Sequence, residues 1–586
     1  MNRMVMRIHQ GRVYFSIAVV FKLVFFMLVL GENNAFAQGM HQSRDELTEI
    51  FNSVRRLGQP QLINGIPDYT APAVQRQRKG LNQLRSQFDS IDPSSWQLED
   101  QVDYLIVRSE LDMLDYGLNV YRATTRSPNF YLSSISSFGL SSGATLSKLG
   151  RMVQQPPPYS TERANEILSH MRNIPKILDQ AKQNLTEPTW EMSRWALPTL
   201  AEAEKSSQSF ATGLSTYFPK QTLEELHAAA ADMGAALTDY RIWIEKRLPT
   251  MTRAQPVGRD MYNWILRRIW LLPFSAKEIL HLGQQEYARY LSFTSFEESR
   301  NRDIPMPKKA ETTAEYAENT ERDALAIRNF LAEKRALTIP DYVGPYRRTL
   351  MPEYIQSFSL WAALSGYRTL NNNGVVKYSV PEDHPYTDTY WESIMRVDAS
   401  TNIFHDGMPG HHFQGVVSAQ HPSVIRSQHR DRFKSEGWST YWEETAVQLG
   451  FYDDRPRSRE LMYNFLRLRA LRVIVDVSMA LGEMTVEEAI AALMKTPMDR
   501  RIASEEADDF FAAPTGGIVY LIGKLQIERL LAERRQQLGI RFDLQQFHDD
   551  LVSAAWVPIE LTRAEMMRDE EFVQQLINDR SSMPVL

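Results

Sequence analysis

The sequence predicts an almost all-α fold with very little β, arranged as two lobes about a deep cleft. Five long segments repeat apolar residues at a three-and-four spacing with charges between them, which is the period of one helix face. Only Gly374–Val380 alternates convincingly as a half-buried strand does. No internal repeat or low-complexity linker divides the chain. With 43% hydrophobic and 24% charged residues among 586, there is ample material for a large core, and a disordered or collagen-like chain is excluded.

The first element is set apart from the fold. Arg3, Arg7 and Arg12 occur without an acid, Val13–Leu30 is apolar except for Lys22, and Ala35-Phe36-Ala37 has the small-x-small form of a signal-peptidase site. Residues 1–37 are therefore expected to be a signal peptide, cut before Gln38. A periplasmic or secreted protein with no membrane contact after cleavage is the result. A retained anchor is the alternative, because the apolar run of 18 residues just reaches spanning length.

Helices follow at Asp45–Leu57, Ala73–Ile91, Thr161–Leu185, Leu223–Leu248 and Ala276–Leu291, each with the apolar period above. Thr485-Val486-Glu487-Glu488 is a capping box, in which the Thr hydroxyl and the Glu three residues on satisfy each other's backbone N–H; it opens a helix over Ala489–Met494. Gln154–Tyr159, with three prolines, and Leu248–Val257 read as loops. Residues 38–586 are expected to form a single domain, with an N-terminal helical lobe over about 45–350 and a metal-site lobe over about 351–570.

Several chemistries are excluded at once. The chain has no cysteine, so disulfides, thiolate zinc sites, a Cys nucleophile and a Cys-linked lipid anchor are impossible. Lys plus Arg is 66 against Asp plus Glu 72, a net −6 that gives no nucleic-acid footprint. No glycine-rich phosphate loop follows a strand, and no Gly-x-Ser-x-Gly elbow marks a serine hydrolase.

The histidines carry the positive signal. Five of the 12 (His405, His411, His412, His421, His429) fall within 25 residues. A His followed by an acid and then by a second His is the pattern of a zinc hydrolase, where two neutral imidazoles converge on one ion and the carboxylate reaches its water. His405 and Asp406 supply the first part. The usual four-residue spacing fails, since four beyond His405 is Pro409, which has no N–H for the helix. The Pro409-Gly410 pair must interrupt the helix and bring His411 or His412 round. Downstream, Glu436 and Glu443 lie seven residues, close to two turns, apart on one helical face. Two His and a Glu are the ligands of a catalytic zinc with a position left for water. The aromatic Trp438, Tyr441 and Trp442 between the acids show that this face is not simply solvated.

His405-Asp406-Gly407-Met408-Pro409-Gly410-His411-His412-Phe413-Gln414, followed by Glu436-Gly437-Trp438 and Glu443, resembles the His-Glu-x-x-Pro-Gly-His-His-x-Gln and Glu-Gly-Trp elements of the bacterial domain-of-unknown-function family 885 (DUF885). That family is similar to helical zinc carboxypeptidases and oligopeptidases of the gluzincin type. Asn173-Ile174-Pro175, Leu282-Gly283, Arg469-Ala470, Tyr520-Leu521-Ile522-Gly523, Phe547-His548 and Pro558 extend the likeness over roughly residues 45–570. The resemblance implies one Zn2+ per chain at the base of the cleft, held by His405, His411 and Glu436, with His412 the alternative ligand. It implies that Glu443 orients a histidine, Asp406 acts as general base, and Tyr520 or His548 steadies the oxyanion of a peptide substrate. Four departures accompany it: Asp406 stands where the family has Glu, Ala480 where a His is common, Asp509-Phe510 for an Arg-Tyr pair, and Pro514-Thr515-Gly516 for Pro-Gly-Gln. The expected activity is that of an exported zinc-dependent peptidase. The alternatives are a metal-binding pseudo-peptidase acting as a periplasmic binding protein and a zinc hydrolase of non-peptide amides or esters. Oligomeric state is open.

Overall fold

A computed structural model describes residues 44–132, 138–141, 145–153, 157–351, 367–369, 373–379, 382 and 389–584. The signal peptide expected over 1–37 and half of the proline-rich loop, 154–156, lie outside the described residues. So do residues 352–366, beside the lobe boundary expected near 350.

The fold is mostly helical, as expected. After α1 (44–57) come a short hairpin, β1 (Gln61–Ile63) with β2 (Ile66–Asp68), then α2 (Ala71–Asp89) and α3 (Leu98–Tyr116). Next are α4 (Thr161–Asn184), α5 (Trp190–Ser215), α6 (Leu223–Arg247), α7 (Ala276–Arg300) and α8 (Thr313–Glu333). The starts of these helices follow local chemistry. Ser160 accepts from the N–H of Arg163 ahead of α4, Ser275 and Glu278 form a capping box ahead of α7, and Pro72 sits in the first turn of α2, where a missing N–H costs nothing.

A three-stranded sheet follows, in the order β3-β5-β4: β3 (Tyr346–Leu350), β4 (Tyr367–Thr369) and β5 (Val375–Ser379). The expected strand is thus β5. It pairs in parallel with β3 (Tyr346 opposite Val375) and antiparallel with β4 (Tyr367 opposite Lys377). The remaining helices used below are α9 (Ser400–Asp406), α10 (His411–Ser418), α11 (Arg432–Gln448), α12 (Pro456–Ala480), α13 (Val486–Leu493), α14 (Arg500–Ala512), α15 (Val519–Leu538) and α16 (Leu544–Ser553). The Thr485 capping box opens α13 as expected.

One buried apolar cluster runs from Leu47 to Ile577, and a smaller one joins α12, α13 and α14 through Leu468, Ile490 and Phe510. Among the described residues no helix is long and apolar enough to cross a membrane.

Candidate metal centre

The Pro-Gly pair interrupts the helix where expected. α9 ends at Asp406 and α10 begins at His411. Between them the chain folds back so closely that a Cβ on Gly410 would lie 1.8 Å from the carbonyl oxygen of His405, a position only glycine can occupy. Trp438 fixes the turn by donating from its indole Nε1 to the carbonyl of Pro409 at 2.7 Å, and Gln414 donates to the carbonyl of Lys434. Both hold the turn against α11.

This geometry brings three ligand-type side chains together. His405, His411 and Glu436 each offer an atom within 4.8 Å of the others. Glu436 Oε2 lies 3.4 Å from His405 Nε2 and 3.3 Å from His411 Nε2. That oxygen is buried and makes no hydrogen bond of good geometry, its nearest polar neighbours being those two imidazole nitrogens. The opposite ring nitrogens are occupied. His405 Nδ1 lies 2.6 Å from Glu443 Oε1, and His411 Nδ1 meets the hydroxyls of Ser439 at 3.1 Å and Ser435 at 3.3 Å. Each imidazole is therefore oriented by one nitrogen and presents the other inward, as metal-binding histidines do. Glu443 is fixed in turn by Arg469 at 3.2 Å. Two imidazoles and one carboxylate, with an unsatisfied oxygen at their centre, fit a zinc ion.

The charges agree with that fit. Burial would lower the pKa of His405, but contacts with Glu436 and Glu443 push it up to about 9. Burial would raise Glu436, yet His411 and His405 hold it well below the ordinary carboxylate range. The proton on His405 thus stands where a cation would be drawn.

The other expected residues divide. Tyr520 stands beside the centre, with its ring 6.3 Å from that of His405. The guanidinium groups of Arg469 and Arg472 lie over the Tyr520 ring. Glu436, then burial, pushes its hydroxyl up to about 12, so it stays a donor at neutral pH. The closeness of α15 to α11 has a local cause: a Cβ on Gly437 would sit 2.5 Å from the backbone of Gly523, and one on Gly523 2.3 Å from the carbonyl of Phe433.

Among the described residues, Asp406 is bound on one oxygen only. Lys377 of β5 pairs with Oδ2, and Asn402 donates to the same atom at 2.7 Å. Burial would raise this carboxyl, but Lys377, His405 and His411 hold it far below its ordinary value. His412 is not part of the cluster; its Nε2 contacts the carbonyl of Gly344 at 3.0 Å.

His548 is the clear misplacement. It is fully buried on α16, with Nε2 on the Tyr441 hydroxyl at 2.8 Å and Nδ1 on the carbonyl of Ala336 at 2.6 Å. Both nitrogens are engaged among the rings of Trp438, Trp442 and Phe547, and burial lowers its pKa to about 4. Such a histidine holds the core together and has no atom free for an oxyanion. Sequence reasoning missed Lys377, Asn402, Ser435 and Ser439. Asn402, one turn before Asp406, and the serines flanking Glu436 carried a helical-spacing signal; Lys377 carried none.

Sequence comparison now decides the kinship. A family described as a bacterial protein of unknown function, DUF885, matches residues 55–566. The chain belongs to DUF885. Two solved structures share the fold. One, from Shewanella oneidensis and described only as a lipoprotein candidate of unknown function, is 17% identical with a TM-score of 0.66; the match covers 91% of this chain and 98% of the other. The second, a lipoprotein candidate from Colwellia psychrerythraea, is 18% identical with a TM-score of 0.68, covering 92% and 100%. No curated protein matches in sequence. DUF885 membership and fold are thereby shown, while the chemistry has to be argued from the residues.

Proposed function

We propose that this DUF885 protein is an exported zinc-dependent peptidase. The observation that carries the reading is the convergence of the buried Glu436 Oε2 with the Nε2 atoms of His405 at 3.4 Å and His411 at 3.3 Å. These three residues would hold zinc, which when bound polarises a carbonyl and lowers the pKa of its water. Asp406 is the general base. Lys377 and Asn402 occupy Oδ2 and keep the carboxylate ionised, and Oδ1 takes a proton from the attacking water, later passed to the leaving amine. Tyr520, still protonated at neutral pH and with no partner for its hydroxyl among the described residues, donates to the oxygen that becomes negative as water adds. Glu443 and Arg469 hold His405 in place.

Export is supported by the signal-peptide pattern of residues 1–37 and by the two relatives in fold, both lipoprotein candidates. N-terminal sequencing from an exporting host should find Gln38 first, and an intact Met1 in the membrane fraction would favour the anchor.

One observation favours a second reading, a metal-binding protein without turnover: Lys377 neutralises the would-be base, and Asp is shorter than the family Glu. Metal analysis and a peptide-library assay separate the two. About one zinc per chain with cleavage supports the peptidase, zinc without cleavage the binding protein, and no zinc neither.

A further inference from the structure

Two consecutive arginines on β3 face opposite ways. Arg347 is exposed and Arg348 buried, because strand residues alternate, and Tyr346 shares the inner face with Arg348. In the parallel pairing Arg348 lies opposite Lys377 of β5, so the sheet brings both cations to the end of α9. Burying a guanidinium is costly unless a carboxylate meets it. Arg348 makes no ion pair among the described residues. Its nitrogens meet neutral oxygens instead: Asn402 Oδ1 at 2.8 Å, Ser379 Oγ at 3.2 Å and the Tyr346 hydroxyl. The guanidinium also lies over the Tyr316 ring of α8, 4.3 Å from its centre.

The Asn402 amide links this arginine to the site. Its Oδ1 is taken by Arg348 and by the Tyr346 hydroxyl at 3.3 Å, which leaves Nδ2 to face Asp406, to whose Oδ2 it donates at 2.7 Å. An amide so held cannot turn its oxygen towards the carboxylate. Local structure by itself would leave that carboxylate loose, because Asp406 is the last residue of α9 and Gly407 already departs from helical geometry. β3 grips the turn as well. A Cβ on Gly407 would lie 3.0 Å from the Tyr346 ring, and the carbonyl of Gly344, just ahead of the strand, accepts from His412 at 3.0 Å.

We propose that Arg348 is a positioning residue: by locking the Asn402 amide it holds Asp406 through Oδ2 in a single orientation, with Oδ1 left to take the water's proton. The inference rests on the peptidase reading, in which Asp406 is the base. Lys377 and Arg348 then divide the work. An ammonium on a flexible stem supplies charge without direction, whereas a planar fork spanning Ser379 and Asn402 supplies direction.

The test uses the zinc-loaded full chain and the peptide that it cleaves fastest in a library. Arg348→Met, close in volume, should lower kcat about ten- to hundredfold while KM and zinc content stay level, as when a supporting partner of a site residue is lost. Arg348→Lys should recover only part of the loss, since an ammonium cannot hold Ser379 and Asn402 in one plane. Asn402→Asp keeps an oxygen for Arg348 but turns a second one on Asp406, and should cost about as much as Arg348→Met. Because both changes break one device, the double variant should lose no more than the worse single one. Should Arg348→Met fail to fold, Arg348→Lys takes its place in this cycle. An unchanged kcat, a loss carried by KM or by zinc content, or losses that multiply in the double variant overturn the inference while the peptidase reading stands. Wild-type protein that carries zinc and cleaves nothing ends both.

Discussion

At the scale of single residues the centre depends on who holds a proton. His405, raised to about 9, is protonated at neutral pH in the metal-free protein, against about 6.5 for a free histidine. Zinc must displace that proton, so its affinity should climb with pH, by up to tenfold per unit from this group, and level off above about 9. A chelator-competition titration from pH 6 to 10 checks this; a flat profile removes His405 from the ligand set. For folding the sign is opposite. A raised pKa stabilises the metal-free protein fully below about 6.5, and the contribution disappears as pH rises through about 9. His405→Ala should abolish zinc while the far-UV helical spectrum survives. Asp406→Asn should keep zinc, since Asp406 is no ligand, and lose about 10²–10⁴ in turnover. Asp406→Glu then separates a working base from a decayed one: the longer acid should be misaimed beside Lys377, and a tenfold gain in activity would count for decay. The candidate ligands were legible in the sequence because His405, His411 and Glu436 lie within one short stretch and match the His-x-x-x-Pro-Gly-His and Glu-Gly-Trp elements of the family. Lys377 was not, because nothing local says that a residue 29 positions earlier will reach Asp406.

At the scale of elements, most of the expected helices have one wet face, although α8, which also has one, was not expected, and the enclosed helices were missed. α6 and α7 carry the apolar period, and both were found, although α7 runs on to Arg300, beyond the expected Leu291. α3 and α12 are buried around most of their circumference, so no polar face marks the period, and neither was expected. The parallel pairing of β3 with β5 is likewise invisible locally, since parallel strands pair across an intervening stretch. Where helices cross at glycine, the sequence held more than its period. The Gly437–Gly523 approach brings Tyr520, three residues before Gly523, against the face of Glu436. Gly437→Ala must push α11 and α15 apart. It should lower the urea midpoint by an amount worth about 1–3 kcal/mol with an unchanged slope, and reduce turnover more than zinc content, because Tyr520 moves while the ligand triad stays on α9, α10 and α11. An unaltered midpoint would mean the crossing yields without cost.

At the scale of the whole molecule the question is how much of the fold rests on the metal. The three candidate ligands come from α9, α10 and α11, neighbours already fixed by Trp438 on Pro409 and Gln414 on Lys434. The apolar cluster from Leu47 to Ile577 passes through these helices without requiring the ion. Zinc-finger domains, lacking such a core, unfold when the metal leaves; this protein should not. Zinc present at about a thousand times its dissociation constant adds only about 4 kcal/mol to stability. For roughly 500 ordered residues, each contributing about 2.1 cal/mol/K to the unfolding entropy, that is a shift of only about 4 °C in Tm. Chelation should therefore lower the calorimetric midpoint by a few degrees, leave the far-UV spectrum intact, and be reversed by added zinc. It should do least in acid, where the proton on His405 already stands against Glu436 and Glu443 in the metal's place. Collapse of the helical signal on chelation would show instead that α9, α10 and α11 are held together by the ion and not by the core beneath them.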